Sequence, residues 1–360
     1  MKKLTLLITI LILSNCAAHN QKLAKKLDKV STNGNTDKVI SYLDKLKKDE
    51  ITDEDGTLMR KTIDLNNVEV VEKLLLQENI KINAKGEDGL TSLGYLITES
   101  EANANSKDIA EALIDHGADV NAASNINEPL ILLSVKNKQT EILKLLIDNG
   151  ADINAQSNLG ETALHLAEGE TLKILVENNA DINIKDNKAN SVIHKLYFID
   201  DIKYMISLGL DINEKNNQGE TVLFNACTNT NCNDARIEKL LAIGADPNIK
   251  NEEEISIVHI ALKTKSFKTL KILVENNADT KSPDKTGKTP LHYLAISLKD
   301  VNFSDDGDVQ KIYESAALLF SSGSDPLSED NDGRNPYQIA SETIKEKIKI
   351  FQIQMNSSRE

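Results

Sequence analysis

GETALHLAEGETLKILVENNADINIKD, residues Gly160 to Asp186, is the stretch whose reading decides the fold. Its central segment TLKILVENNAD, Thr171–Asp181, recurs letter for letter at Thr269–Asp279, 98 positions on. That displacement is close to three periods of about 33 residues, so the chain reads as a tandem array of one supersecondary unit.

Degenerate copies of the same phrase run outward in both directions. The unit exits are Gly117-Ala118-Asp119-Val120-Asn121, Gly150-Ala151-Asp152-Ile153-Asn154, Asn179-Ala180-Asp181-Ile182-Asn183, Gly209-Leu210-Asp211-Ile212-Asn213, Gly244-Ala245-Asp246-Pro247-Asn248, Asn277-Ala278-Asp279 and Gly323-Ser324-Asp325. Before each exit, apolar residues fall at helical spacing, as in Ile142, Leu143, Leu145 and Leu146 or Ile174 and Leu175. A single unit cannot bury that stripe; stacking against its neighbours does. The helix must then be stopped by a residue tolerant of positive φ, and the slot holds Gly117, Gly150, Gly209, Gly244 and Gly323, or Asn179 and Asn277.

The carriers of a family resemblance are Gly160-x-Thr162-Ala163-Leu164-His165-x-Ala167 and Gly287-x-Thr289-Pro290-Leu291-His292, with weaker copies at Ser191–His194, Thr221–Ala226 and Ser256–Ala261. These units resemble ankyrin repeats, in which a hairpin turn leads into a first helix, a second helix and a G-A-D-x-N exit. The resemblance implies an all-α solenoid of stacked ankyrin helix pairs joined by β-hairpin-like loops. Residues 55–330 carry the repeats, flanked by an N-terminal capping repeat at 19–54 and C-terminal capping helices at 331–360. In the N-terminal cap, helices are expected over Lys22–Val30 and Thr36–Lys47, the second strongly charged where a terminal unit meets water.

His165, His194, His259 and His292 occupy one slot of the repeat. The resemblance makes that slot structural, with the imidazole and a nearby Thr or Ser hydroxyl tying one hairpin to the next. One repeat thickness apart, these rings cannot converge on a metal whose ligand bonds are about 2 Å long. No metal site and no cofactor is expected.

Three units are long, with extra residues between first and second helix at Glu99–Lys107, Thr228–Asp234 and Ser297–Gln310; the last of these is acidic and reads as a surface loop. Cys227 takes the place of a small core residue and Cys232 lies in the inserted loop five positions on, so the two are a candidate disulfide, with a buried free thiol at Cys227 as the alternative.

The first 18 residues read as an export signal: Lys2 and Lys3, an apolar run Leu4–Leu13 too short to span a bilayer, then small and polar residues. Leu13-Ser14-Asn15-Cys16 resembles the bacterial lipobox, which implies lipidation at Cys16 and a membrane-anchored protein of the cell envelope. Cleavage after Ala18, giving a soluble exported chain, is the alternative.

With 56 acidic against 42 basic residues and a formal charge of −14, the chain lacks the concentrated basic face that nucleic acid demands. No nucleophile elbow, phosphate loop, zinc-protease pair or Cys-x-x-Cys is present. The expectation is therefore a non-catalytic protein-binding scaffold, exported and lipid-anchored, with a protein partner. Other readings are a secreted effector acting in a host cell, and an envelope protein that protects or inhibits an enzyme. Where family contact positions follow the hairpin and the first helix, the candidates are Glu161, Asn190, Glu220 and Lys288 in hairpins and Lys136, Asn229, Lys263 and Thr264 on helices.

Overall fold

The computed structural model describes residues 18–30, 36–47, 50–99, 104–227, 230–298 and 306–342. The chain divides into two compact units, 1–187 and 188–360. Both are built mostly of helix pairs in tandem, as an all-α repeat architecture requires.

In the first unit, residues 18–30 are helical and are followed by helix Asp37–Leu43, shorter than the expected Thr36–Lys47. The pairs Thr57–Ile63/Val68–Leu75, Ser92–Glu99/Ala104–Asp115, Leu130–Lys136/Thr140–Asp148 and Ala163–Leu166/Gly169–Glu177 come next. First helices pack on first helices and second on second from one repeat to the next. Their apolar stripes merge into one core running from Leu23 in the first helix to Leu146. Each fully buried Leu or Ile contributes about 1.5–3 kcal/mol. A small parallel pairing of Thr52–Asp53 with Asn79–Ile80 was not signalled by the repeat pattern. It sits where Asp53, almost wholly buried, accepts the amides of Leu58 (3.1 Å) and Met59 (2.8 Å) and so starts helix Thr57–Ile63.

The second unit continues the theme: Val192–Lys195/Ile199–Ser207, a 3-10 turn Phe224–Ala226 with helix Asp234–Ala242, Ile257–Lys263/Phe267–Glu275, Pro290–Ser297/Asp306–Ser321, and helical residues 336–342. Two expectations are corrected. Helix Asp306–Ser321 begins inside the stretch Ser297–Gln310 that reads as a loop, so its acidic end is the first turn of a helix. Cys227 is half-buried rather than a core residue, because the first helix of its repeat ends at Ala226.

The two copies of TLKILVENNAD lie one in each unit. Leu172, Ile174, Leu175 and Ala180 are buried in the first, and Leu270, Ile272, Leu273 and Ala278 in the second. The apolar positions of the two copies are buried alike, as a tandem repeat demands. Every helix-stopping residue named above has positive φ, from 61° at Asn277 to 104° at Gly209.

Candidate functional site

The face that carries hairpins and first helices is held by three sets of periodic hydrogen bonds. Hairpin tips are tied backbone to backbone: Asn187 N–H to Leu159 C=O (2.9 Å) in the first unit, and Asn217 to Lys188, Glu252 to Gln218, Lys285 to Glu253 and Asn331 to Thr286 in the second, at 2.8–3.1 Å. This leaves no room for a side chain at Gly219, where an added Cβ would lie 2.8 Å from the amide of Glu252.

The histidines form the second set. Thr162, Ser191, Ser256 and Thr289 each cap a first helix, and their backbone N–H groups donate to Nδ1 of His165, His194, His259 and His292 at 3.0–3.2 Å. With Nδ1 accepting, the proton is on Nε2, which donates to the next hairpin: to Glu220 C=O (3.2 Å) from His194, Lys288 C=O (3.3 Å) from His259 and Arg334 C=O (3.0 Å) from His292. Both nitrogens are used in the neutral form. Burial depresses the basicity of all three, taking His259 to about 4. Among the described residues no group of three His, Cys, Asp or Glu converges as a metal site requires.

The third set explains the exit motif. Asn83, Asn121, Asn154, Asn213 and Asn248 each accept through Oδ1 the amide of the next repeat's exit aspartate, Asp119, Asp152, Asp181, Asp246 and Asp279, at 2.7–2.9 Å. Several donate through Nδ2 to the carbonyl of the helix-stopping residue, as Asn213 does to Gly244 (3.1 Å). At Lys281 the asparagine is absent. There Ser324 Oγ donates to Thr280 C=O (2.9 Å) and joins the repeats instead.

What remains exposed on this face defines the site. In the second unit the 3-10 turn Phe224–Ala226 leaves a notch of about 530 Å³ beside helix Ile257–Lys263. Phe224, Ile255, Ile260 and Tyr293 give it an apolar floor, with Glu220, Asn225 and Lys263 on its rim. Tyr293 O–H donates to Asp284 Oδ2 (2.8 Å); burial and that carboxylate push the phenol well above its ordinary range. Burial of Asp284 works against its ionisation, but hydrogen bonds from Thr286, Tyr293 and the Lys288 amide outweigh it and hold the carboxyl below its ordinary value.

Of the eight candidates named from sequence, Glu220, Lys263 and Thr264 line this notch together. Lys136 is engaged with Glu128, and Lys288 with Thr286 Oγ1 (3.0 Å) and Asp330 (3.9 Å). Glu161 is half-buried in a hairpin of the first unit. Asn190 is a correction: only 8% exposed, it accepts Asn216 Nδ2 at 2.9 Å and braces two hairpins rather than facing a partner. Asn229, like residues 1–17 with Cys16, lies outside the described residues. Asn225, Ile260 and Tyr293 were missed, although they share the variable slot after the histidine position and could have been found there.

Cys227, which borders the notch, is joined to Cys232 by a disulfide, and the Cys232 amide donates to Ser266 Oγ (3.0 Å) of the next repeat. The bond thus ties the shortened first helix to the helix pair that follows it.

A face of helix pairs held by such ladders defines a repeat protein. Residues 102–186 and 230–303 match the family model described as ankyrin repeats (3 copies). The chain is similar to a mitochondrial disaggregase of Bos taurus, 29% identical over 149 residues, 40% of this chain and 20% of that protein. It is also similar to an ankyrin repeat protein of Fowlpox virus (strain NVSL), 27% identical over 140 residues, 30% of this chain and 25% of the viral protein. The chain thus spans a quarter or less of the length of these relatives. Ankyrin repeats generally mediate protein–protein interactions.

Proposed function

We propose that the chain is a non-catalytic scaffold that grips a protein partner on the face carrying hairpins and first helices. The observation that carries this is the notch beside helix Ile257–Lys263: apolar at its floor, with Glu220 and Lys263 free of ion pairs among the described residues at its rim. A large apolar side chain anchored in a pocket with a polar rim is how protein interfaces concentrate their energy. The titratable groups beside it are used within the fold, His259 between Ser256 and Lys288 and Tyr293 on Asp284, which favours binding over chemistry.

A photo-crosslinking residue at Lys263, introduced in the full chain in cells, tests this. A discrete adduct from position 263 and none from Lys173, on a second helix of the first unit, is the expected outcome. Equal adducts from both positions, or none from either, count against the reading.

We also propose export and lipid anchoring through Cys16, on the strength of the basic start, the apolar run and Leu13-Ser14-Asn15-Cys16. Among the described residues no helix is long and apolar enough to cross a membrane. Cys16→Ala is expected to move the protein from the membrane fraction to the soluble one. Retention in the membrane fraction argues against the anchor, and a soluble wild type points to cleavage after Ala18.

A further inference from the structure

A second surface in the unit 188–360 lies away from the hairpins, where the clipped first helix Val192–Lys195 hands over to Ile199–Ser207 in the stretch Leu196-Tyr197-Phe198. Leu196 is buried, but Tyr197 and Phe198 are 57% and 53% exposed and meet edge to face at 5.5 Å. A short connection does not require aromatic residues. The equally clipped Ala163–Leu166 is followed by Ala167-Glu168. The pair is therefore specific to this repeat.

Beside it, between helices Ile199–Ser207 and Asp234–Ala242, is a groove of about 450 Å³. Arg236 forms one wall, 8% exposed, its guanidinium 4.9 Å above the Tyr197 ring and donating to the carbonyls of Leu196 (2.7 Å) and Tyr197. Those bonds satisfy backbone groups freed by the short helix, yet they supply no negative charge. Among the described residues Arg236 has no carboxylate partner, and its Nε has no hydrogen bond at all. Among the described residues Lys239, which lines the same groove, has no ion pair, and Lys203 meets no carboxylate but Asp200, at 3.8 Å, whose side chain is 97% exposed. Among the residues that line it, three cations stand against one solvated carboxylate, an electropositive lining in a chain of net charge −14. Tyr and Arg are also the side chains that most often carry interface energy.

We infer that this groove is a docking site for an acidic segment of a partner polypeptide that presents a large apolar or aromatic side chain flanked by Asp or Glu. The apolar side chain packs on Tyr197 and Phe198 while the carboxylates face Arg236, Lys239 and Lys203. The site shares with the reading above only the premise that the partner is a polypeptide; its residues and its face are separate.

The test is selection of binders from a displayed library of random peptides on the full-length protein, followed by affinity measurement of recovered peptides on variants. Tyr197→Ser/Phe198→Ser is exposed and spares the core, and Lys239→Glu reverses charge without touching the bonds of Arg236. Recovered peptides rich in Asp or Glu beside Phe, Trp or Leu, weakened about tenfold or more by either variant and by added salt, are the expected result. Basic or purely apolar peptides, or peptides indifferent to both variants, overturn it. Peptides that respond only to Lys263→Glu overturn this site while supporting the notch. A silent crosslink at position 263 alongside binders that need Tyr197 does the reverse.

Discussion

His292 Nε2 lies 3.0 Å from the carbonyl oxygen of Arg334, 42 positions along the chain, while its Nδ1 accepts the amide of Thr289. One neutral imidazole thereby starts a helix and holds the following hairpin. The same device acts at His194 and His259, and all three lose basicity through burial.

Stability should consequently fall as the solution is acidified. The folded His259 titrates at about 4 against an ordinary 6.5, so between those values the unfolded chain takes up a proton that the folded chain refuses. The stabilisation is complete above pH 6.5, declines below it, and is lost by about pH 4. At about 1.4 kcal/mol per pKa unit, His259 alone contributes about 3 kcal/mol across that window. Asp279, Asp284 and Asp330, all depressed, act lower, as pH falls below the ordinary carboxylate range. Urea titrations at intervals from pH 7 to 4 check this. His259→Asn should be less stable at neutral pH and show a shallower slope over the window; an unchanged slope would remove the histidine ladder as the cause.

The exit asparagines offer a local test. Asn213 accepts the Asp246 amide at 2.8 Å and donates to Gly244 C=O at 3.1 Å, so Asn213→Ala breaks two bonds at once. The site is half-exposed and water replaces part of what is lost, which leaves about 1–2 kcal/mol. Hydrogen exchange at the Asp246 amide should quicken more than at amides within helix Asp234–Ala242. Uniform quickening would mean that the side chain acts through global stability alone.

Much of this was legible because the period is physical. A helix that must hide one stripe against its neighbour repeats its Leu, Ile and Ala in fixed places, and TLKILVENNAD gave the same buried set twice. Legibility ended where one repeat departs from its siblings. Phe224 takes the histidine slot, so no imidazole reaches the next hairpin there, and the first helix shrinks to the 3-10 turn that opens the notch. Asn190 looked like a hairpin surface residue, but its exposure depends on Asn216 a repeat away, which alignment to a consensus does not weigh. The orientation of Tyr197 and Phe198 depended likewise on Arg236, 39 positions from Tyr197.

Two glycines separate backbone strain from crowding. Gly150 and Gly219 have φ of 79° and 74°, so alanine at either pays about the same left-handed cost of about 1–2 kcal/mol. Around Gly150 a Cβ meets nothing within 4 Å, whereas at Gly219 it meets the Glu252 amide at 2.8 Å and the Asn251 backbone at 3.0 Å. Gly219→Ala should therefore be the more destabilising by about 1 kcal/mol or more, because neighbouring hairpin backbones must part. Equal denaturation midpoints for the two variants would show that the tips are not packed as described.

The twin segments allow a control that few proteins offer. Thr171 and Thr269 open identical sequences, yet Thr171 is half-exposed while Thr269 is fully buried with its hydroxyl donating to Asp234 Oδ1. Removing the hydroxyl with Thr269→Val strips Asp234 of that donor, leaving it Lys268 at 3.5 Å, and should cost about 1–3 kcal/mol. Thr171→Val, in the same local sequence, should change stability by no more than about 0.5 kcal/mol. The helix propensity change is common to both, so a difference between the variants isolates the contact with the preceding repeat. If the two losses are equal, the second copy of the segment is not held against helix Asp234–Ala242, and the stacking of repeats in that unit is wrong at the point where the sequence argument for it is strongest.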